Sequence, residues 1–247
     1  MPVLVAPYHL DEYLPSIAGA LPDAEVVLGA MPEGATPWQR FASLRERVAV
    51  AVQRLSGSGR VDVVTGDCLL AAGTVLGLQR AGVDPAVVWF DAHGDLHTVG
   101  SSTSGYAGGM SLRVVAGDSP PEWGDAGGLR GVDESRLVLV GARDLDPPEV
   151  EFLAGSEIRQ VAVEDLDAAV LPEGPLVLHV DVDVVDAAEL PGLRFPVTPG
   201  PSTEDVIDAA RRVLATGRVV AFDVACAWDP DAVTDAGPRL LRTLLEG

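Results

Sequence analysis

Short apolar runs recur along this chain, and stretches with helical spacing separate them. Residues 86–90 and 175–180 are too short for helices. They lack polar alternation, as expected of strands buried on both faces. Residues 2–6, 25–28, 60–65, 136–140, 157–161 and 218–224 read as further strands. Between them, residues 38–55 place Phe41, Leu44, Val48, Val52 and Leu55 at helical spacing, and Ser56-Gly57-Ser58-Gly59 ends that helix. Residues 69–80 and 111–115 read as helices. So do residues 164–169, a short one, and 233–245, an amphipathic one. Pro147 followed by Glu149 starts another. Ser202, with Asp205 three residues on, caps a helix to Leu214. Residues 8–13, 29–37, 117–135 and 196–201 read as loops. This alternation predicts an α/β fold: a mostly parallel sheet with helices on both faces, as one domain over residues 1–247.

Ligands of such folds bind beyond the carboxyl ends of the strands. Asp91-Ala92-His93-Gly94-Asp95 follows the run 86–90 directly. Alternate side chains point to opposite faces only while a strand lasts, so past its end Asp91, His93 and Asp95 can converge. Two carboxylates and an imidazole form a hard-to-borderline metal-ligand set. A polar loop capping a strand explains that stretch by itself. A second stretch changes the balance. Asp181-Val182-Asp183-Val184-Val185-Asp186 follows the run 175–180, and three aspartates there repel one another unless a cation or protonation offsets their charge. Two such strand ends favour a metal site.

Cys68 follows another strand. A free Cys is usually a small core residue, but at the first turn of a helix the N-terminus lowers its pKa and favours thiolate. Cys68, Asp91 to His97, Asp146, Asp181, Asp183 and Cys226 all come just after strands and should share one rim. Cys226 reads as a pocket thiol or as core. A Cys68–Cys226 disulfide would compete with metal binding, so two free thiols are expected. His9 reads as a surface residue. The Ser/Gly-rich residues 100–110 form a flexible connection or a substrate loop; no Walker pattern is present.

The chain carries 17 basic residues, all Arg, against 37 acidic ones, a net charge of −20. Such acidity argues against binding nucleic acid or anionic membranes. No stretch has the length of a membrane span and no basic leader begins the chain, so a cytoplasmic protein is expected.

The two acidic motifs, in this order and on strand ends, resemble the metal motifs of the arginase/agmatinase (ureohydrolase) family. The similarity runs from about Val61 to the C-terminal helix, and more loosely before it. It implies a three-layer α/β/α fold, a pair of Mn²⁺ ions, and hydrolysis of a guanidino carbon by hydroxide held between them. By position, Asp91 and Asp181 would bridge the ions. Asp95 would complete one shell and handle the hydroxide's proton, the catalytic role. His93 and Asp183 would complete the other. Cys68 falls where the family has a His ligand, and reads as its replacement. The arginase His that assists proton transfer falls at Gly108, and the Glu that pairs with guanidinium falls at Cys226. His97, Ser104, Asp146 and Glu149 fall where arginases hold the substrate's α-carboxylate and α-amino groups. The partner implied is a small guanidino or hydroxyguanidino amino acid, and the departures favour the hydroxylated one. Ordinary arginase, agmatinase or formimidoylglutamase activity is the alternative, as is a non-catalytic metal-binding relative. The stretch Arg143-Asp144-Leu145-Asp146-Pro147-Pro148-Glu149 favours an α-amino acid over agmatine. Lacking an extended C-terminal tail, the chain is expected to be a monomer.

Overall fold

The computed structural model describes residues 1–29, 36–120, 126–226, 228 and 234–246. Among them one eight-stranded sheet runs through the molecule. Its strands are β1 (Val3–Ala6), β4 (Val26–Val27), β5 (Val61–Thr65), β6 (Ala86–Phe90), β7 (Leu137–Val140), β8 (Arg159–Val161), β9 (Leu176–Asp181) and β10 (Val219–Ala225). The order is β4-β1-β5-β10-β9-β6-β7-β8, and every pairing is parallel. A separate antiparallel pair, β2 (Tyr8–His9) and β3 (Glu12–Tyr13), lies within the segment expected as a loop.

The central strands show why their sequences do not alternate. In β6, Val87 and Trp89 point into one core, while Ala86, Val88 and Phe90 point into the other. Every β6 residue is buried, so polarity on either face would lose the roughly 1.5–3 kcal/mol that burying a large apolar side chain contributes. α2 (Pro37–Leu55), α3 (Ala71–Arg80), α4 (Ser111–Val115) and α5 (Pro147–Gly155) cover the first face. α1 (Pro15–Ala20), α6 (Thr203–Leu214) and α7 (Ala236–Glu246) cover the second. The result is the expected α/β/α arrangement.

Helix starts follow the local chemistry. Ser202 accepts from Asp205 N at 3.1 Å, and Asp205 accepts from Ser202 N at 3.3 Å, which satisfies two otherwise unpaired amides at the start of α6. Asp146 and Glu149 form the equivalent box at α5, with Pro147 inside its first turn.

Several expectations need correction. Residues 164–169 form turns rather than a helix, with Val163 and Leu166 buried against the sheet. α3 begins only at Ala71, after a 3₁₀ turn over Cys68–Leu70. His9 is buried, 6% exposed, because its ring hydrogen-bonds Gly66 O. The segment 117–135 holds two 3₁₀ turns, Ala126–Gly128 and Glu134–Arg136. Part of it, most of the loop 29–37, and Val233 at the expected start of the last helix lie outside the described residues. Among the described residues no helix is long and apolar enough to cross a membrane.

Candidate metal centre

Because the sheet is parallel, its strands end on one edge, and β5, β10, β9, β6 and β7 are consecutive neighbours there. Three of these ends stop in the same way. Asp67 accepts from Leu69 N at 2.8 Å, Asp91 from His93 N at 2.8 Å, and Asp181 from Asp183 N at 2.9 Å. An aspartate that binds the amide two residues on replaces the strand ladder with a local turn. The turn brings the side chain at the second position over the sheet edge beside the first. The spacing Asp-x-His and Asp-x-Asp is thus itself the device that makes the ligands converge.

Two overlapping ligand sets result. Cys68, Asp91 and Asp181 offer donor atoms within 4.8 Å of one another, as do Asp91, His93 and Asp183. Cys68 Sγ lies 2.7 Å from Asp181 Oδ2 and 4.0 Å from Asp91 Oδ2. His93 Nδ1 lies 3.3 Å from Asp91 Oδ1 and 3.2 Å from Asp183 Oδ2. Asp91 belongs to both sets. Asp95 belongs to neither but is buried and lines the same cavity, with its backbone at φ +54°. Asp186 turns away; its carboxylate takes the amides of Ala188 and Gly200 at 2.8 and 2.7 Å.

Electrostatics sets the demand for a cation. Asp91, Asp95, Asp181 and Asp183 are all buried, and among the described residues no Arg lines the cavity. Burial, then the neighbouring carboxylates, push Asp95 and Asp181 well above the usual carboxylate range and Asp183 up to about 6. Burial opposes charge on His93, yet hydrogen bonds to Asp183 and Asp91 hold its pKa up at about 12. The helix start does not by itself make Cys68 a thiolate. Burial, then Asp181 and Asp91, push the thiol well up, and it donates to Asp181 instead. The field of a helix start is too weak against two adjacent carboxylates, and Cys68 precedes α3 by a whole 3₁₀ turn. A divalent ion reverses this logic, because a coordinating thiol loses its proton and the carboxylates gain a counter-charge. The donor set therefore fits two divalent ions, with sulfur softening one site.

These groups form the floor of a cavity of about 340 Å³. Its wall includes His97, Ser104, Asp146 and Glu149. His97 Nε2 lies 3.0 Å from Asp146 Oδ2, and its Nδ1 lies 3.1 Å from Ser101 Oγ. Glu149 is committed to backbone: its oxygens accept from Leu96 N at 2.9 Å and Asp146 N at 3.0 Å. Gly94 permits this, since a Cβ there would fall 2.6 Å from Glu149 Oε1. The Ser/Gly loop contributes Ser102, Ser104, Gly108 and Gly109 to the wall.

Sequence reading missed several neighbours. Asp67, Tyr106, Asp144 and Phe195 line the cavity. His179 lies beneath it, fully buried, with Nδ1 2.9 Å from Asp223 Oδ1 and Nε2 3.3 Å from Cys68 Sγ. A charged residue within each apolar strand was the available signal, but pairing the two requires the β9–β10 register. Cys226 is fully buried in the second core and absent from the cavity wall, and both cysteines are free thiols.

Paired ligand sets sharing one carboxylate, at the carboxyl edge of a parallel sheet, define an α/β protein built to hold two metal ions. A model of the arginase family matches residues 23–236, and the chain belongs to that family. It is 32% identical over 199 residues to an arginase of Schizosaccharomyces pombe, covering 74% of this chain and 62% of that protein. It is 31% identical over 194 residues to an arginase of Eremothecium gossypii, covering 70% of this chain and 48% of that protein. The match thus spans about half to three-fifths of these relatives' length. The fold is similar to that of the arginase from Bacillus caldovelox, with TM-score 0.84 and 22% identity over 99% of this chain and 96% of that one. It is also similar to formimidoylglutamase from Bacillus subtilis, with TM-score 0.77 and 16% identity over 99% of this chain and 84% of that one.

Proposed function

We propose that this protein is a dinuclear-manganese amidinohydrolase acting on the α-amino acid Nω-hydroxy-L-arginine, which it cleaves to hydroxyurea and L-ornithine. The family member it resembles in its departures is the Nω-hydroxy-L-arginine hydrolase of D-cycloserine biosynthesis. The observation that carries the reading is the cavity itself. Two ligand sets sharing Asp91 form its floor, while Gly108 brings no side chain to it and Cys226 stays out of it.

Cys68, Asp91, Asp95 and Asp181 would hold one ion, and Asp91, Asp181, His93 and Asp183 the other. When bound, such ions activate water and stabilise charge developing at the carbon under attack. Asp95 takes the proton that water releases. His97, Ser104, Asp146 and Glu149 hold the α-amino acid end, Glu149 by fixing Asp146 and the 94–97 turn. The hydrogen bonds of Glu149 to Leu96 and Asp146 support that role.

The distal end argues for the hydroxylated substrate. A guanidinium needs a pairing carboxylate and a group to protonate the leaving amine. Neither Gly108 nor Cys226 supplies these. An N-hydroxyguanidine is less basic, because its oxygen withdraws electron density, so it approaches the metals closer to neutrality. Its own N–OH can carry the proton. Loss of general acid–base help typically costs about 10²–10⁴-fold in rate, so L-arginine should react poorly.

Ordinary arginase activity is the second reading, and the name shared by the relatives above favours it. The two separate in one assay: kcat/KM for L-arginine and for Nω-hydroxy-L-arginine, with urea and hydroxyurea quantified separately. Strong preference for the hydroxylated compound is expected; comparable turnover of L-arginine would return the chain to the arginase reading. We propose further that the protein works as a monomer. Light scattering at the mass of one chain, 25.7 kDa, is the expected result.

A further inference from the structure

Tyr106 and Gly108 compete for the same space beside the metal centre. A Cβ built on Gly108 would lie 2.4 Å from Cε1, Cζ and the hydroxyl oxygen of Tyr106. The phenol ring therefore fills the room that a side chain at position 108 requires. The ring is held from other sides too. Its hydroxyl lies 3.1 Å from Asp67 Oδ2 and 3.4 Å from His9 Nε2. Phe195 lies against it at 5.0 Å between centroids, and the His9 ring stacks at 5.9 Å. Asp67 is fixed in turn, since its other oxygen holds Leu69 N beside Cys68. Tyr106, Asp67 and Phe195 line the cavity whose floor is the two ligand sets.

The proton count gives Tyr106 a direction. His9 Nδ1 lies 3.0 Å from Gly66 O, which only accepts, and 3.4 Å from Asp67 Oδ2, so Nδ1 carries a proton. The phenol donates its own proton to Asp67 Oδ2. With its proton on Asp67, the phenolic oxygen has two lone pairs, and even a donor at His9 Nε2 leaves one of them to accept a further hydrogen bond. Burial and the charge of Asp67 keep the phenol protonated.

We propose that Tyr106 is a specificity-determining residue, whose phenolic oxygen accepts a hydrogen bond from the N–H or N–O–H at the far end of a guanidino-type substrate. The proposal rests on the amidinohydrolase reading above. It assigns to Tyr106 the place that a longer side chain at position 108 would occupy, and Gly108 is the condition for it.

The test uses the manganese-loaded full chain with Tyr106→Phe, Tyr106→Ala, Gly108→Ala and the double variant Tyr106→Ala/Gly108→Ala. The readouts are KM and kcat for Nω-hydroxy-L-arginine, calorimetric Kd for L-ornithine, and metal content. L-Ornithine lacks the distal group and serves as the internal control. Tyr106→Phe should raise KM by about tenfold, the scale of one hydrogen bond, with ornithine affinity and metal content unchanged. Gly108→Ala should reproduce that loss, because its methyl displaces the ring. In the Tyr106→Ala background it should add nothing. A Tyr106→Phe variant that loses both ligands alike, or neither, overturns the proposal. So does a Gly108→Ala effect of equal size with and without the Tyr106 ring. Wild-type protein that neither hydrolyses a guanidino amino acid nor binds ornithine overturns the functional reading and this proposal with it. A wild type that hydrolyses one while Tyr106→Phe behaves identically overturns this proposal alone.

Discussion

Asp91 belongs to both ligand sets, and Asp181, beside it in one set, is proposed to reach both ions, so removal of either should disturb both, whereas Cys68 belongs to one set only. Asp91→Ala is expected to hold less than one manganese per chain by plasma mass spectrometry. Asp181→Ala should lose at least one ion. Asp186→Ala is the matched control: it removes an aspartate from the same motif, yet its carboxylate serves the 198–200 turn, so two ions should remain. Equal losses from all three would refute the division of the acidic motif into ligands and a turn lock. Cys68 permits a sharper experiment. A thiolate places negative charge on one ion and weakens oxygen contacts to it. Cys68→His should therefore turn Nω-hydroxy-L-arginine from substrate toward inhibitor, read as slower hydroxyurea release with tighter apparent binding. Unchanged hydroxyurea production would show that Cys68 does not set the preference.

At the level of elements, the β9–β10 pairing does more than close the sheet. Its register sets His179 opposite Asp223, with no solvent at either side chain, and Thr74 of α3 donates to the far oxygen of Asp223. Trp89 of β6 stacks on the His179 ring at 3.7 Å, which fixes the imidazole from a third strand. Removing one partner of a buried pair leaves the other uncompensated. Asp223→Ala should therefore lower unfolding free energy by about 3–5 kcal/mol in urea titrations. A loss below about 1 kcal/mol would mean that the pair is dispensable to the sheet. Ser202→Ala at the start of α6 should cost about 1 kcal/mol, since it unmakes an exposed cap and leaves the core intact.

For the whole molecule, the buried carboxylates make stability depend on pH and metal together. In metal-free protein Asp183 titrates near 6 rather than near its ordinary 3.8, so the folded state keeps a proton that the unfolded chain releases. Stability then falls as pH rises through that interval, and Asp95 and Asp181, raised in the same direction, extend the fall upward. His93 adds to it. Held at about 12 against an ordinary 6.5, it stabilises fully below 6.5 and progressively less above. All these groups share one sign, so the metal-free Tm should decline from pH 5 to pH 8. Metal binding expels the same protons, so the increase in Tm on adding Mn²⁺ should be larger at pH 8 than at pH 6. Thermal scans with and without chelator measure both. An increment that shrinks with pH would show that these groups do not bind the ion.

The architecture was legible in the residues because each cause is local. Runs such as 86–90 declare strands buried on both faces, Ser202 and Asp205 declare a helix start, and Asp-x-His and Asp-x-Asp each close their own turn. Where parallel strands end follows from their direction alone, so candidate ligands on separate strands could be assigned to one rim. Reading failed where partners lie far apart in sequence. His9 reads as a surface residue because nothing near it in the chain reveals Gly66 O or the Asp67 carboxylate. The pull of the helix start on the Cys68 thiol is local and is outweighed by Asp181, which arrives from 113 residues away. His179 and Asp223 meet only through strand register, and Tyr106 excludes a side chain at 108 only through the packing of its own loop. The sequence by itself determined which segments are strands and which strand ends carry candidate ligands, since backbone preference and hydrophobic burial act over a few residues. Only the tertiary structure decided which of those charges share a buried volume, because Coulombic and desolvation energies depend on distances that no local spacing sets.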